Sequence, residues 1–162
     1  MLKIRRADDS DFDAIWEIFH EVMKAGDSYP FSPETTKEEA YDLWMAPHML
    51  TYVAEDEGEI VGTYMLKPNQ PGLGSHIANG SYMVRRDARG KGIGMALAEH
   101  SLVEAKKAGF IALQFNLVVS TNEAAKALWK KAGFEIIGTV PKAFNHKDLG
   151  LVDAHIMYKS LG

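Results

Sequence analysis

Apolar positions along the chain switch between a helical and an alternating period. Leu2–Arg6 reads as a short first strand. Ser10-x-x-Asp13 has the form of a capping box, and Phe12, Ile15, Trp16, Phe19 and Met23 follow it at helical spacing up to Gly26. Asp27–Thr35 is rich in turn formers. Thr36-x-x-Glu39 then opens a second helix carrying Ala40, Leu43 and Trp44. Leu50–Glu55 and Ile60–Leu66 flank Asp56-Glu57-Gly58-Glu59, which predicts a hairpin.

After a loop at Pro68–Gly74, Ser75–Val84 predicts a strand, bulged or bent near Asn79-Gly80. Gly94, Ala98, Leu102 and Ala105 share a helical face that ends at Gly109, and Ala112–Val119 is the next strand. Ala125, Leu128, Trp129 and Ala132 mark a further helix closed by Gly133. Phe134–Val140 and Val152–Tyr158 are the last strands. The order β-α-α-β-β-β-α-β-α-β-β, without strict alternation, predicts an α/β fold around a mixed, largely antiparallel sheet flanked by helices. No repeat or long linker divides residues 1–162, so one domain is expected.

Composition narrows the chemistry. Cysteine is absent, which excludes disulfides, thiolate metal sites and a cysteine nucleophile. The net charge of −4 counts against a nucleic-acid binder, although Arg85–Lys91 is a local basic patch. No apolar run has membrane-spanning length and Met1–Arg6 has no signal core, so a cytoplasmic protein with no membrane partner is expected. His76, His146 and His155 lack ligand spacing, and no metal is expected.

The strongest chemical signal is Arg89-Gly90-Lys91-Gly92-Ile93-Gly94-Met95, between a strand and a helix. Alternate glycines let N–H groups converge, the helix adds unpaired donors and the positive end of its dipole, and Arg89 and Lys91 add charge. That combination suits a pyrophosphate. The same residues would also serve as a plain glycine-rich turn with solvated charges. A P-loop would need Ser or Thr after its Lys, and a dinucleotide fingerprint would need Gly-x-Gly-x-x-Gly. Neither is present.

Arg89-x-x-Gly92-x-Gly94 resembles the coenzyme A loop of the GNAT N-acetyltransferase superfamily. Asn122 through Phe134 resembles that family's second cofactor segment, an Asn-opened helix closed by Gly-Phe. The resemblance implies acetyl-CoA as cofactor and a gap beside the fourth strand that receives it. The backbones of Tyr82, Met83 and Val84 would pair with the pantetheine arm, an N–H near Met83 would face the thioester oxygen, Gly90–Met95 would hold the pyrophosphate, and Asn122, Ala125 and Trp129 would line the other side. The implied reaction is direct attack of an amine on the thioester.

Two departures from the family pattern matter. Trp129 stands where many members have a Tyr acid, and an indole N–H is no useful proton source. Tyr82 or Tyr158 is the substitute considered. The fifth strand offers Asn116 where some relatives have a carboxylate base; an Asn can orient an amine, a carboxylate or a water, or can simply be a buried structural amide. Gln114–Phe144 also resembles a GNAT subgroup that includes fungal acetyltransferases of proline analogues such as azetidine-2-carboxylate, which implies a small amino-acid-like acceptor. Its pocket is expected from Asp27–Thr35, Pro68–Gly80 and Pro141–Gly150, with Phe31, Tyr64, Asn79 and Asn116 facing it. A non-catalytic acyl-CoA-binding module and an enzyme acting on a protein or peptide amine are the alternatives. A homodimer is compatible with the sequence.

Overall fold

A computed structural model describes residues 1–162. The elements are β1 (Leu2–Arg6), α1 (Phe12–Ala25), α2 (Lys37–Trp44), β2 (Leu50–Asp56), β3 (Glu59–Pro68), β4 (Ile77–Val84), α3 (Ile93–Lys107), β5 (Ala112–Val119), α4 (Glu123–Lys131), β6 (Glu135–His146) and β7 (Gly150–Ser160). This is the order that the hydrophobic pattern predicts. The seven strands form one sheet in the order β1-β2-β3-β4-β5-β7-β6. Every pairing is antiparallel except β4 with β5. This is the α/β architecture expected.

Both sheet faces are covered. Phe12, Ile15, Ile18, Phe19, Val22 and Met23 of α1 pack with Trp44 of α2 on Val53, Met65 and Met83. On the other face Ile93, Leu97, Ala98 and Ala105 of α3 and Trp129 of α4 pack on Tyr64, Leu66, Ala78, Leu113 and Phe115. Strand alternation sorts these sets, because neighbouring side chains point to opposite faces.

Several local readings need correction. The capping box before α1 is built on Asp8 and Asp11, not Ser10 and Asp13. Asp11 is turned inward, where Arg5 donates to both its carboxylate oxygens at 2.8 and 2.9 Å, while the Asp13 side chain is exposed and paired with Lys37. The second box, Thr36 with Glu39, is as expected. Asn79-Gly80 is no bulge in the β3 pairing, whose register runs unbroken from Gly62↔Val84 to Pro68↔Ala78. β5 has the irregularity, between Phe115 and Val118. The last hairpin is longer than predicted: Pro141–His146 belongs to β6, so this stretch is strand rather than pocket loop. Pro141 and Lys142 (φ 53°) obscure it, since they sit in a register shift on the edge strand, where Pro costs no ladder bond.

Tyr52, Tyr64 and Tyr82 lie directly opposite one another on β2, β3 and β4. Their rings stack at 4.9 and 5.4 Å, and each hydroxyl meets a polar group of α3: Glu104, His100 and Ser101.

Candidate active site

The gap beside β4 follows from its pairing. β4 and β5 are in register only over Ile77–Asn79, against Ala112–Gln114, and they part beyond Asn79. On the β3 side, Arg85 N–H donates to Val61 and Asn69 N–H donates to Ile77, each at 2.8 Å. Antiparallel pairs alternate, so Thr63–Met83 and Met65–Ser81 also exchange bonds across this ladder. The peptide groups of Gly80, Tyr82 and Val84 therefore point away from β3, into the gap. The donor that faces the gap is Tyr82 N–H rather than that of Met83, whose amide is consumed in the sheet and whose side chain is buried under α1.

Gly80 makes room for this arrangement. A Cβ on it would lie 2.9 Å from the Tyr82 hydroxyl, so the Tyr82 ring can fold back along the strand only over a glycine. That hydroxyl donates to Ser101 Oγ at 2.7 Å beneath α3, and burial pushes its ionisation up. The expected acid role of the Tyr82 side chain does not fit this placement. Tyr158 stands opposite Gln114 and Glu135 on β7, beyond β5 from the gap.

The glycine loop opens the pyrophosphate end. Gly90 and Gly92 have φ of 82° and 80°, the left-handed region where an L side chain is strained, and a Cβ on either would meet nothing within 4 Å. Neither they nor Lys91 donates a backbone N–H to a backbone carbonyl. The first N–H groups of α3, from Ile93, Gly94 and Met95, have no intrahelical acceptor by geometry. A hollow lined by free donors, with exposed Arg89 and Lys91 beside it, fits an anionic diphosphate. Gly94 also serves packing. A Cβ on it would lie 2.9 Å from Leu128 Cδ1, so it sets the approach of α3 to α4.

Across the gap, Asn122 caps α4 by accepting from Ala125 N–H at 3.1 Å, which leaves its amide NH₂ for another partner. Ala125 and Leu128 pack on the core. Trp129 is buried, with its ring 4.3 Å from Phe115 and 4.7 Å from Tyr82. It is a wall between α4 and the gap.

The opposite face carries amides. Asn79 donates to the Gln114 carbonyl at 3.0 Å, Gln114 Nε2 to Asn116 Oδ1 at 3.0 Å, and Asn116 Nδ2 to Asn69 Oδ1 at 2.6 Å. Asn116 is exposed, so the buried-amide reading is corrected; the β5 irregularity begins beside it. Tyr64 is also a correction. It is fully buried under α3, donor or acceptor to His100 Nδ1 at 2.8 Å, because alternation puts it on the face away from the amides. Phe31 stacks on Phe19 at 6.0 Å and pins its loop. Lys147 N–H donates to the Gly26 carbonyl at 3.0 Å, which joins the turn after β6 to the start of that loop.

One aromatic residue here has a partner on the β4 backbone that the sequence did not assign it. Tyr29 accepts from Tyr82 N–H at 2.9 Å and donates to the Tyr82 carbonyl at 2.6 Å. Only the aromatic-rich turn composition of Asp27–Thr35 hinted at it. Of the histidines, His146 Nδ1 accepts from Asp148 and Leu149 N–H, and His155 meets Thr139.

A sheet that parts beside its fourth strand, with an anion cradle at the gap's mouth, is the architecture of an acyl-coenzyme A enzyme. The chain belongs to the acetyltransferase (GNAT) family, whose model matches residues 12–134. It is an acetyl-CoA-dependent N-acetyltransferase. It is 33% identical to the N-acetyltransferase aca1 of Schizosaccharomyces pombe over 151 residues, 83% of this chain and 72% of that protein. Among solved structures, a GCN5-related N-acetyltransferase from Kribbella flavida is 44% identical with a TM-score of 0.94, over 98% of this chain and 97% of that one. An N-acetyltransferase from Staphylococcus aureus Mu50 is 26% identical with a TM-score of 0.88, over 100% and 99% of the two chains. No helix is long and apolar enough to cross a membrane.

Proposed function

We propose that the acceptor is a small amino-acid-like amine, taken up on the face that carries Asn69, Asn79, Gln114 and Asn116. The observation that carries this reading is the amide cluster itself. Three carboxamides linked in a row, Gln114, Asn116 and Asn69, and that of Asn79, which donates to the Gln114 main-chain carbonyl, lie beside the end of the β4–β5 contact and offer N–H donors to a carboxylate and carbonyl oxygens to an amine. No charged side chain takes part in these bonds, so a zwitterion would meet no fixed charge of either sign within the cluster.

Within this reading the glycine loop, Gly90–Met95, holds the diphosphate, and Asn122 with the Val84 peptide lines the arm. When bound, the cofactor supplies a thioester whose acyl carbon is open to an amine. Tyr82 N–H would receive the carbonyl oxygen as charge develops on it. Asn116 and Asn79 orient the acceptor so that its nitrogen lone pair faces that carbon. The amine would add to the acyl carbon, the C–S bond would then break with CoA leaving as thiolate, and the amine proton would pass to water. Trp129 closes the gap and donates no proton. A thiol with a pKa of about 8.5, the cysteine reference value, leaves as thiolate without an acid.

The test is thiol release from acetyl-CoA with free amino acids, their methyl esters and short peptides. Faster turnover of free amino acids, secondary amines included, than of their esters supports the reading. Turnover confined to peptides would replace it with a peptide-amine enzyme, and tight acetyl-CoA binding with no turnover of any amine would replace it with a binding module.

A further inference from the structure

Tyr29 holds the edge of β4 at the point where the gap opens. One phenol oxygen accepts from the N–H and donates to the carbonyl of the same residue, Tyr82, at 2.9 and 2.6 Å. Both groups point into the gap, where β5 would otherwise pair with them had it not parted from β4. Tyr29 thus does for Tyr82 what a neighbouring strand does elsewhere in the sheet. It comes from the loop between α1 and α2, which the amide face shares, and that loop is otherwise fastened by Phe31 on Phe19 and by the Gly26–Lys147 bond. Burial pushes the phenol up to about 12, so at neutral pH it keeps its proton and fills both roles.

We propose that the Tyr29 hydroxyl is the free enzyme's stand-in for the thioester oxygen, and that an incoming acyl group displaces it and moves the 27–35 loop. This rests on the reading of Tyr82 N–H as the donor to the thioester. One N–H aimed at an oxygen at 2.9 Å cannot serve a second oxygen at full strength. Coenzyme A without its acetyl group has no such oxygen and leaves Tyr29 in place. Binding of the acetylated form, and not of the free thiol, therefore releases the 27–35 loop. The site distinguishes loaded from spent cofactor before any amine arrives.

Calorimetric titration of the wild type and of Tyr29→Phe with acetyl-CoA and with CoA tests this. The Phe ring keeps the packing and removes the competing oxygen. Acetyl-CoA is expected to bind the variant about three- to tenfold more tightly, with CoA affinity unchanged. Equal changes for both ligands, or none, overturn the proposal. Failure of either ligand to bind the wild type overturns the cofactor site as well, a distinct result. Hydrogen exchange on the wild type needs no variant. Residues 27–35 should exchange faster with acetyl-CoA than with CoA, and unchanged or slower exchange overturns the displacement.

Discussion

Gly94 and Leu128 meet where α3 crosses α4, and a Cβ on Gly94 would come within 2.9 Å of the leucine methyl. Gly92, two residues earlier, faces open space. The two glycines therefore have separable effects. Gly94→Val should cost about 1–3 kcal/mol by overpacking, read as a lower denaturation midpoint. Gly92→Glu should cost only about 1–2 kcal/mol for its left-handed backbone, yet abolish acetyl-CoA binding by placing a carboxylate in the anion cradle. Retained affinity in Gly92→Glu would move the pyrophosphate elsewhere.

Trp129 fills a pocket between Phe115, Tyr82 and Phe134. Trp129→Tyr should lose packing, about 1–2 kcal/mol, and gain no turnover, because the thiolate leaves unaided. A tenfold rise in kcat would show instead that protonation of the sulfur limits the reaction.

Asn116 is the amide that reaches from β5 to Asn69. Asn116→Ala should raise the acceptor KM about ten- to hundredfold and leave acetyl-CoA affinity alone. Asn116→Asp should do more harm if the acceptor carries a carboxylate, since like charges then face each other. Initial rates over an acceptor series measure both.

His100 sits half-buried against Tyr64, and desolvation holds it below its ordinary pKa of 6.5. The charged form is thus disfavoured more in the folded chain than in the unfolded one. Its contribution is complete above the unfolded value and is lost as pH falls through the folded one. Urea midpoints should therefore drop between pH 8 and pH 5.5 by more in the wild type than in His100→Gln. Equal drops would assign the acid sensitivity to other groups.

The element order and the cradle were legible because they depend on local patterns: helical stripes, the Glu57-Gly58 hairpin and alternate glycines. The hidden parts depend on pairing. Tyr64 reads as a pocket residue until the register with Tyr52 and Tyr82 places it under α3. The sequence points only to an N–H near Met83 as the oxyanion donor, and the β3 ladder, which takes the Met83 amide, narrows it to Tyr82. Asn79-Gly80 signalled an irregularity correctly in place but not in kind: the glycine yields to the Tyr82 ring rather than to a bulge. Tyr29 reaches its partner across 53 residues of sequence, a separation no short pattern reports.

The tyrosine row has a bearing on how the chain finds its register. A slip of β4 by one residue would exchange Tyr82 for Ser81 or Met83 beneath α3, leaving two rings without their third and the Ser101 hydroxyl without its donor. The same slip would turn the Tyr82 amide into the ladder and present its neighbours' amides to the gap instead. The stacking of the three rings therefore favours one alignment of the sheet, and it is the alignment that turns the Tyr82 N–H toward the gap.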